Sequence, residues 1–145
     1  MSPPDSNEGT AMLTRLIYAS ETAAPLTAND VQDIVDKARA ANQRSQLTGM
    51  LAFDSQCFLQ VLEGRRAAVS EVFCKIAGDP RHQRVQLLEL VPVDERQFSI
   101  WSMGFAAANA HGRETFLRFS CEGQFEPSKM TAKSALGLLC SLASR

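Results

Sequence analysis

Hydrophobic and polar positions change period several times along this chain, and each change marks an element. Between Met12 and Ser20, Leu13, Arg15, Ile17 and Ala19 alternate with Thr14, Leu16, Tyr18 and Ser20, which predicts a strand. Thr27-Ala28-Asn29-Asp30 then offers a hydroxyl cap followed by a carboxylate, and Val31, Ile34, Val35 and Ala38 recur at helical spacing. An amphipathic helix ending near Asn42 follows from that pattern. The runs 47–53 and 57–62 are apolar and of strand length, joined by Asp54-Ser55-Gln56, a polar link of hairpin size. Glu63-Gly64 breaks the pattern, after which Val69, Val72, Phe73 and Ile76 restore the helical spacing until Gly78-Asp79-Pro80 stops it. Strands are expected again over 85–93 and 102–107, on either side of a loop containing Asp94, Glu95 and Arg96.

This order is βαββαβ with one strand added. Short connections and right-handed crossovers make it an α+β, ferredoxin-like sheet with two helices on one face, in which the first and third strands are adjacent and central. Beyond Ala110 a short helix over 114–119, a link over 121–127 and a last helix capped by Thr131 complete the pattern. That last helix carries Leu136, Leu138, Leu139 and Leu142, an apolar surface that needs cover from the open face of the sheet or from a second subunit. The chain divides accordingly into a disordered leader over residues 1–11, a domain over 12–108 and a C-terminal helical extension over 109–145.

Composition narrows the classes of function. A length of 145 residues suits one domain. With 45% hydrophobic and 21% charged residues the make-up is that of a soluble globular protein, and no apolar run approaches the roughly 20 residues needed to cross a bilayer. A net charge of -1 offers nucleic acid no basic field. The four cysteines, Cys57, Cys74, Cys121 and Cys140, lack C-x-x-C spacing and lie mostly in apolar segments, which fits reduced core thiols in the cytoplasm. His82 and His111 stand far apart with no companion ligands, so no metal site is expected.

Against this ordinary background a few polar residues stand out. Gln60 lies inside Phe58-Leu59-Gln60-Val61-Leu62, where an unpaired buried amide costs about 1–3 kcal/mol. Either it sits at an edge or bonds to backbone, or it faces a polar ligand or side chain in the core. Tyr18, on the strand expected beside it, can both donate and accept, although a core tyrosine with a wet tip is the plainer reading. Asn42 either caps its helix or joins these two at one end of a groove between the helices. A planar ligand bearing carbonyl and imino groups would satisfy such a spot. Asp79, Arg81 and His82 form a polar cluster after the second helix that is either a solvated loop or a holder for a ribityl chain or phosphate. Trp101 and Met103 flank Ser102 on the last strand and so share a face, most simply as core. No Ser-His-Asp order, paired carboxylates or Gly-rich phosphate loop is present, and no enzymatic chemistry is expected.

Taken in order, Arg15-Leu16-Ile17-Tyr18-Ala19-Ser20, Ala41-Asn42, Leu47-Thr48-Gly49-Met50-Leu51, Phe58-Leu59-Gln60-Val61-Leu62-Glu63-Gly64, Asp79-Pro80-Arg81-His82, Arg96-Gln97-Phe98 and Trp101-Ser102-Met103 resemble the BLUF (blue light using flavin) signature. The tail, from Phe125 to Ala132, further resembles the short stand-alone PixD type. The resemblance implies FAD between the two helices, its ring reached by Tyr18, Asn42 and Gln60, with Ser20 nearby and Trp101 or Met103 close to Gln60. It places Asp79, Arg81 and His82 at the ribityl and phosphate portion, and puts Ala41 where some relatives carry a histidine. It also implies photochemistry: Tyr18 gives an electron and then a proton through Gln60 to the excited flavin, and the Gln60 amide is left rearranged. A chain of this kind signals to a downstream protein partner, and a homo-oligomer is expected. The competing readings are a light-independent flavin redox protein and a cofactor-free ferredoxin-like interaction module.

Overall fold

The computed structural model describes residues 12–99, 103–110 and 112–143. The elements are β1 (Leu13–Thr22), α1 (Ala28–Ser45), β2 (Thr48–Phe53), β3 (Cys57–Arg65), α2 (Arg66–Ala77), β4 (His82–Pro92) and β5 (Gly104–Ala107). A tail of α3 (Arg113–Leu117) and α4 (Ala132–Ala143) follows, with short 3-10 turns at Ala108–Ala110 and Pro127–Lys129. The sheet runs β4-β1-β3-β2-β5. As the topology required, β1 and β3 are adjacent and interior, and they pair antiparallel. β5 adds at the far edge, parallel to β2.

The period-two alternation of the strands sorts their side chains onto two faces. On one face Leu16, Tyr18, Leu51, Phe58 and Leu62 meet Val31 and Val35 of α1 and Val69 of α2. On the other, Ile17, Met50, Ala52, Leu59 and Val61 meet Leu138, Leu139 and Leu142 of α4. The sheet itself therefore covers the apolar stripe of the last helix. Burying each such Leu stabilises by about 1.5–3 kcal/mol. Thr131 caps this helix, accepting from the Ser134 N–H at 3.1 Å.

Local sequence explains most boundaries. Thr27 and Asp30 form the reciprocal capping box at the start of α1. The helix runs past Asn42 to Ser45, because Gln46, in the left-handed conformation at φ 56°, supplies the capping N–H to the carbonyls of Asn42 and Gln43. Glu63-Gly64 does not end its strand, since β3 continues to Arg65. A side chain at Gly64 would lie 2.3 Å from Leu47 Cδ2, so the glycine there marks a close approach. β4 begins three residues before the expected start at Val85, where His82 pairs with Thr22. The leader, Trp101 and Ser102 lie outside the described residues.

Candidate functional site

Between α1 and α2, over the face of the sheet that carries Tyr18, lies a cleft of about 250 Å³. Its walls are apolar: Ile34, Ala38 and Ala41 from α1, Val72 and Ile76 from α2, Leu51 and Phe58 from the sheet. These α1 positions recur at helical spacing on one face, and the two alanines keep that wall flat. The polar lining divides by burial. Tyr18, Asn42 and Gln60 are all buried, whereas Lys37, Lys75 and Arg81 have largely exposed side chains.

Tyr18 and Gln60 are brought together by the ladder itself, being direct cross-strand partners of β1 and β3. The Tyr18 hydroxyl donates to Gln60 Oε1 at 2.5 Å. The other end of the amide, Nε2, donates to Met103 Sδ at 3.3 Å. Gln60 is thus on an interior strand, and the edge-position alternative is removed. Burial raises the Tyr18 phenol well above its ordinary value near 10, so at neutral pH it holds its proton and presents it to the amide.

Asn42 does not take the left-handed cap position, which belongs to Gln46. Its backbone carbonyl accepts from Leu47 N–H at 2.8 Å, and its buried side chain lines the cleft. Ser20 does not line the cleft; its hydroxyl meets His82 Nδ1 at 2.9 Å and orients that ring against Phe58, with centroids 4.7 Å apart. Burial lowers the His82 pKa from its ordinary value, so the imidazole is neutral at pH 7. The Arg81 guanidinium beside Asp79, at 2.7 Å, holds that carboxyl down at about 2.

Sequence reasoning passed over Lys37 and Lys75. Each forms an i,i+4 ion pair on its helix, with Asp33 and Glu71, the pattern of an ordinary solvated face. Their usable signal was position: Lys37 adjoins the Ile34-Ala38-Ala41 stripe, and Lys75 lies beside Ile76. Also missed was a latch beside the site. Glu63, 0% exposed, accepts the N–H groups of Gln97 and Phe98 at 2.7 and 2.8 Å. Arg96 next to them reaches Thr48 Oγ1, the Glu63 carbonyl and the Gln46 carbonyl at 2.8–3.1 Å.

The cleft fits a flavin on its own chemistry. An apolar cleft between two helices suits a tricyclic ring, while a buried amide and phenol in its lining suit ring carbonyl and imino groups. The exposed cations of its lining suit a phosphate.

Comparison with known proteins agrees. The photoactivated adenylate cyclase subunit alpha of Euglena gracilis is 38% identical over 90 residues, 62% of this chain and 9% of that protein. The beta subunit from Euglena longa is 33% identical over 66% of this chain and 11% of its own length. The chain thus spans only about a tenth of these relatives. Among solved structures, BlsA in its photo-activated state superposes with a TM-score of 0.79 at 30% identity, covering 90% of this chain and 94% of that one. The dark-state structure of BlrB, a BLUF protein, gives 0.71 at 29% identity over 93% and 97%. The family model of BLUF, sensors of blue light using FAD, matches residues 13–104. With that match covering most of the chain, and the buried Tyr18–Gln60 pair in place at an apolar cleft, the chain belongs to the BLUF family of blue-light flavin photoreceptors.

Proposed function

We propose that this chain binds FAD in the cleft between α1 and α2 and uses the Tyr18–Gln60 pair as a light-driven hydrogen-bond switch read by a protein partner. The observation that carries this reading is the buried hydrogen bond from Tyr18 to Gln60 Oε1 at the cleft's inner end. When bound, the flavin supplies absorption of blue light and an excited state that accepts an electron.

The residues of the chain do the rest. Tyr18, the only tyrosine, is the electron donor, and its proton leaves along the existing hydrogen bond toward Gln60 Oε1. Gln60 has chemically different ends, one accepting from Tyr18 and the other donating to Met103. Rotation or tautomerism of the amide exchanges what it offers to the cleft and to its neighbours, so two arrangements are each satisfied. Asn42 would hold the ring from α1. Arg81, with Lys37 and Lys75, would hold the phosphate portion, which favours a phosphorylated flavin; Asp79 fixes the Arg81 fork and Ser20 fixes His82. Met103, and Trp101 on the same segment, pass the change outward to the last strand and the tail, where a partner or a second copy of the chain reads it. Free thiols at all four cysteines accord with a cytoplasmic setting.

The test is the absorption spectrum of the purified protein before and after blue light, followed through recovery in darkness, with the flavin released and identified. Bound FAD and a small reversible red shift bear the reading out. Flavin without a shift turns it into a redox protein, and a colourless folded protein into an interaction module.

A further inference from the structure

Met103 touches the amide that would switch, yet the sheet does not hold it. The β5 ladder begins one residue later, where Gly104 pairs with Met50. A methionine is also the least shape-constrained of the large apolar side chains, adapting readily to whatever gap it meets. Core packing buries its side chain, but its backbone lies outside the ladder, and the structure contains an anchor for that backbone. Arg39, on α1, donates from Nε to the Met103 carbonyl at 2.9 Å. Among the described residues its guanidinium also pairs with Asp36, at 4.0 Å on the exposed helix surface, a contact of the kind that contributes little.

From this we infer that Arg39 is a positioning residue of the photoswitch: by pinning the Met103 carbonyl it fixes which side chain of that segment stands against Gln60. The inference rests on the photoreceptor reading above. Successive residues of an extended segment point to opposite faces, so a slip of one residue withdraws the sulfur from the amide and turns Met103 away. Holding the carbonyl prevents the slip while leaving the side chain free to turn when Gln60 changes. The contact needs a long side chain that ends in a donor; arginine's planar group also fixes the N–H direction, which lysine's ammonium approximates. It also ties α1, which forms one wall of the cleft and carries Asn42, to the start of the last strand. A change at Gln60 that displaces Met103 must then work against α1 as well as β5.

The experiment uses the intact flavin-bound protein labelled with 13C at the methionine methyls, of which there are five, with Met103→Ala assigning the resonance. In the dark, Arg39→Ala is expected to shift or split the Met103 methyl signal and to slow dark recovery several-fold. Arg39→Lys is expected to restore a single signal and recovery within about twofold, and Asp36→Ala to leave both unchanged. Alanine is the best helix former, so α1 should persist. In the unaltered protein the Arg39 Nε–H should exchange slowly with water in the dark, which requires no substitution. A Met103 signal and recovery rate in Arg39→Ala identical to those of the parent would overturn the inference. So would an Arg39 Nε–H that exchanges as fast as those of exposed arginines. A parent protein that binds flavin and gives no red shift would instead overturn the photoreceptor reading beneath it.

Discussion

Tyr18 and Gln60 are opposite one another in the β1–β3 ladder and also bonded through their side chains. Backbone pairing thus brings the two side chains together, and neither depends on a mobile loop for its place. Substitution at either position should leave the ladder standing and act mainly on the pair.

Tyr18→Phe should retain flavin and lose the light-induced red shift. It leaves Gln60 Oε1 without its donor, at a cost of about 1–3 kcal/mol. A light-minus-dark difference spectrum and a thermal melt measure both effects, and a normal photocycle in this variant would refute Tyr18 as the electron donor.

Gln60→Leu should also abolish the shift, for a different reason. It removes the group whose two ends differ, and leaves the Tyr18 hydroxyl buried without its acceptor. Persistence of the shift by the same difference spectrum would mean that another group rearranges.

Met103→Ala should keep the red shift and lose the light-dependent response of the tail, read as hydrogen exchange of α4 in light and dark. Truncating so buried a side chain costs about 2–5 kcal/mol. If the tail's response to light survives in full, Met103 is not on the output route.

Glu63→Gln tests the latch. Both carboxylate oxygens accept backbone N–H groups, and an amide can accept at only one end, setting its own N–H₂ against a donor. A loss of about 1.5–3 kcal/mol and a Tm lower by several degrees are expected. Flavin absorption serves as the control that the cleft survives.

Stability should fall as the solution is acidified below about pH 6.5. Burial lowers the His82 pKa from its ordinary 6.5, so below that value the unfolded chain takes up the proton more readily than the folded one. Stability is complete above the unfolded value and is lost with falling pH from there down through the folded value. Asp79, held at about 2 by Arg81, acts in a separate window, its contribution being present above its ordinary 3.8 and lost as pH falls toward 2. Melting the parent and His82→Gln across pH 5–8 should show the slope near 6 flattened in the variant.

Much of this was legible in the chain because the relevant signals are local. The Thr27–Asp30 capping box, the strand alternation around Tyr18 and the misplaced amide at Gln60 all announce themselves within a few residues. What escaped depends on distant partners. Glu63 reads as a break in a strand because a carboxylate is assumed to be exposed; its burial makes sense only once the N–H groups of Gln97 and Phe98 are beside it. Asn42 reads as the helix end because nothing in its neighbours shows that Gln46 adopts the left-handed cap. Arg39 carries no signal at all until Met103, far along the chain, is placed next to it.

The sheet is a partition one residue thick. On β3, Gln60 faces the cleft while Leu59 and Val61, joined to it by single peptide bonds, face α4. Any tilt of the peptide planes that accompanies a turn of the Gln60 amide is therefore felt on the far side within one bond, as a change in how Leu59 and Val61 meet the leucines of the last helix. The cleft and the bed of α4 are the two surfaces of the same strand, so no long lever is needed to connect them.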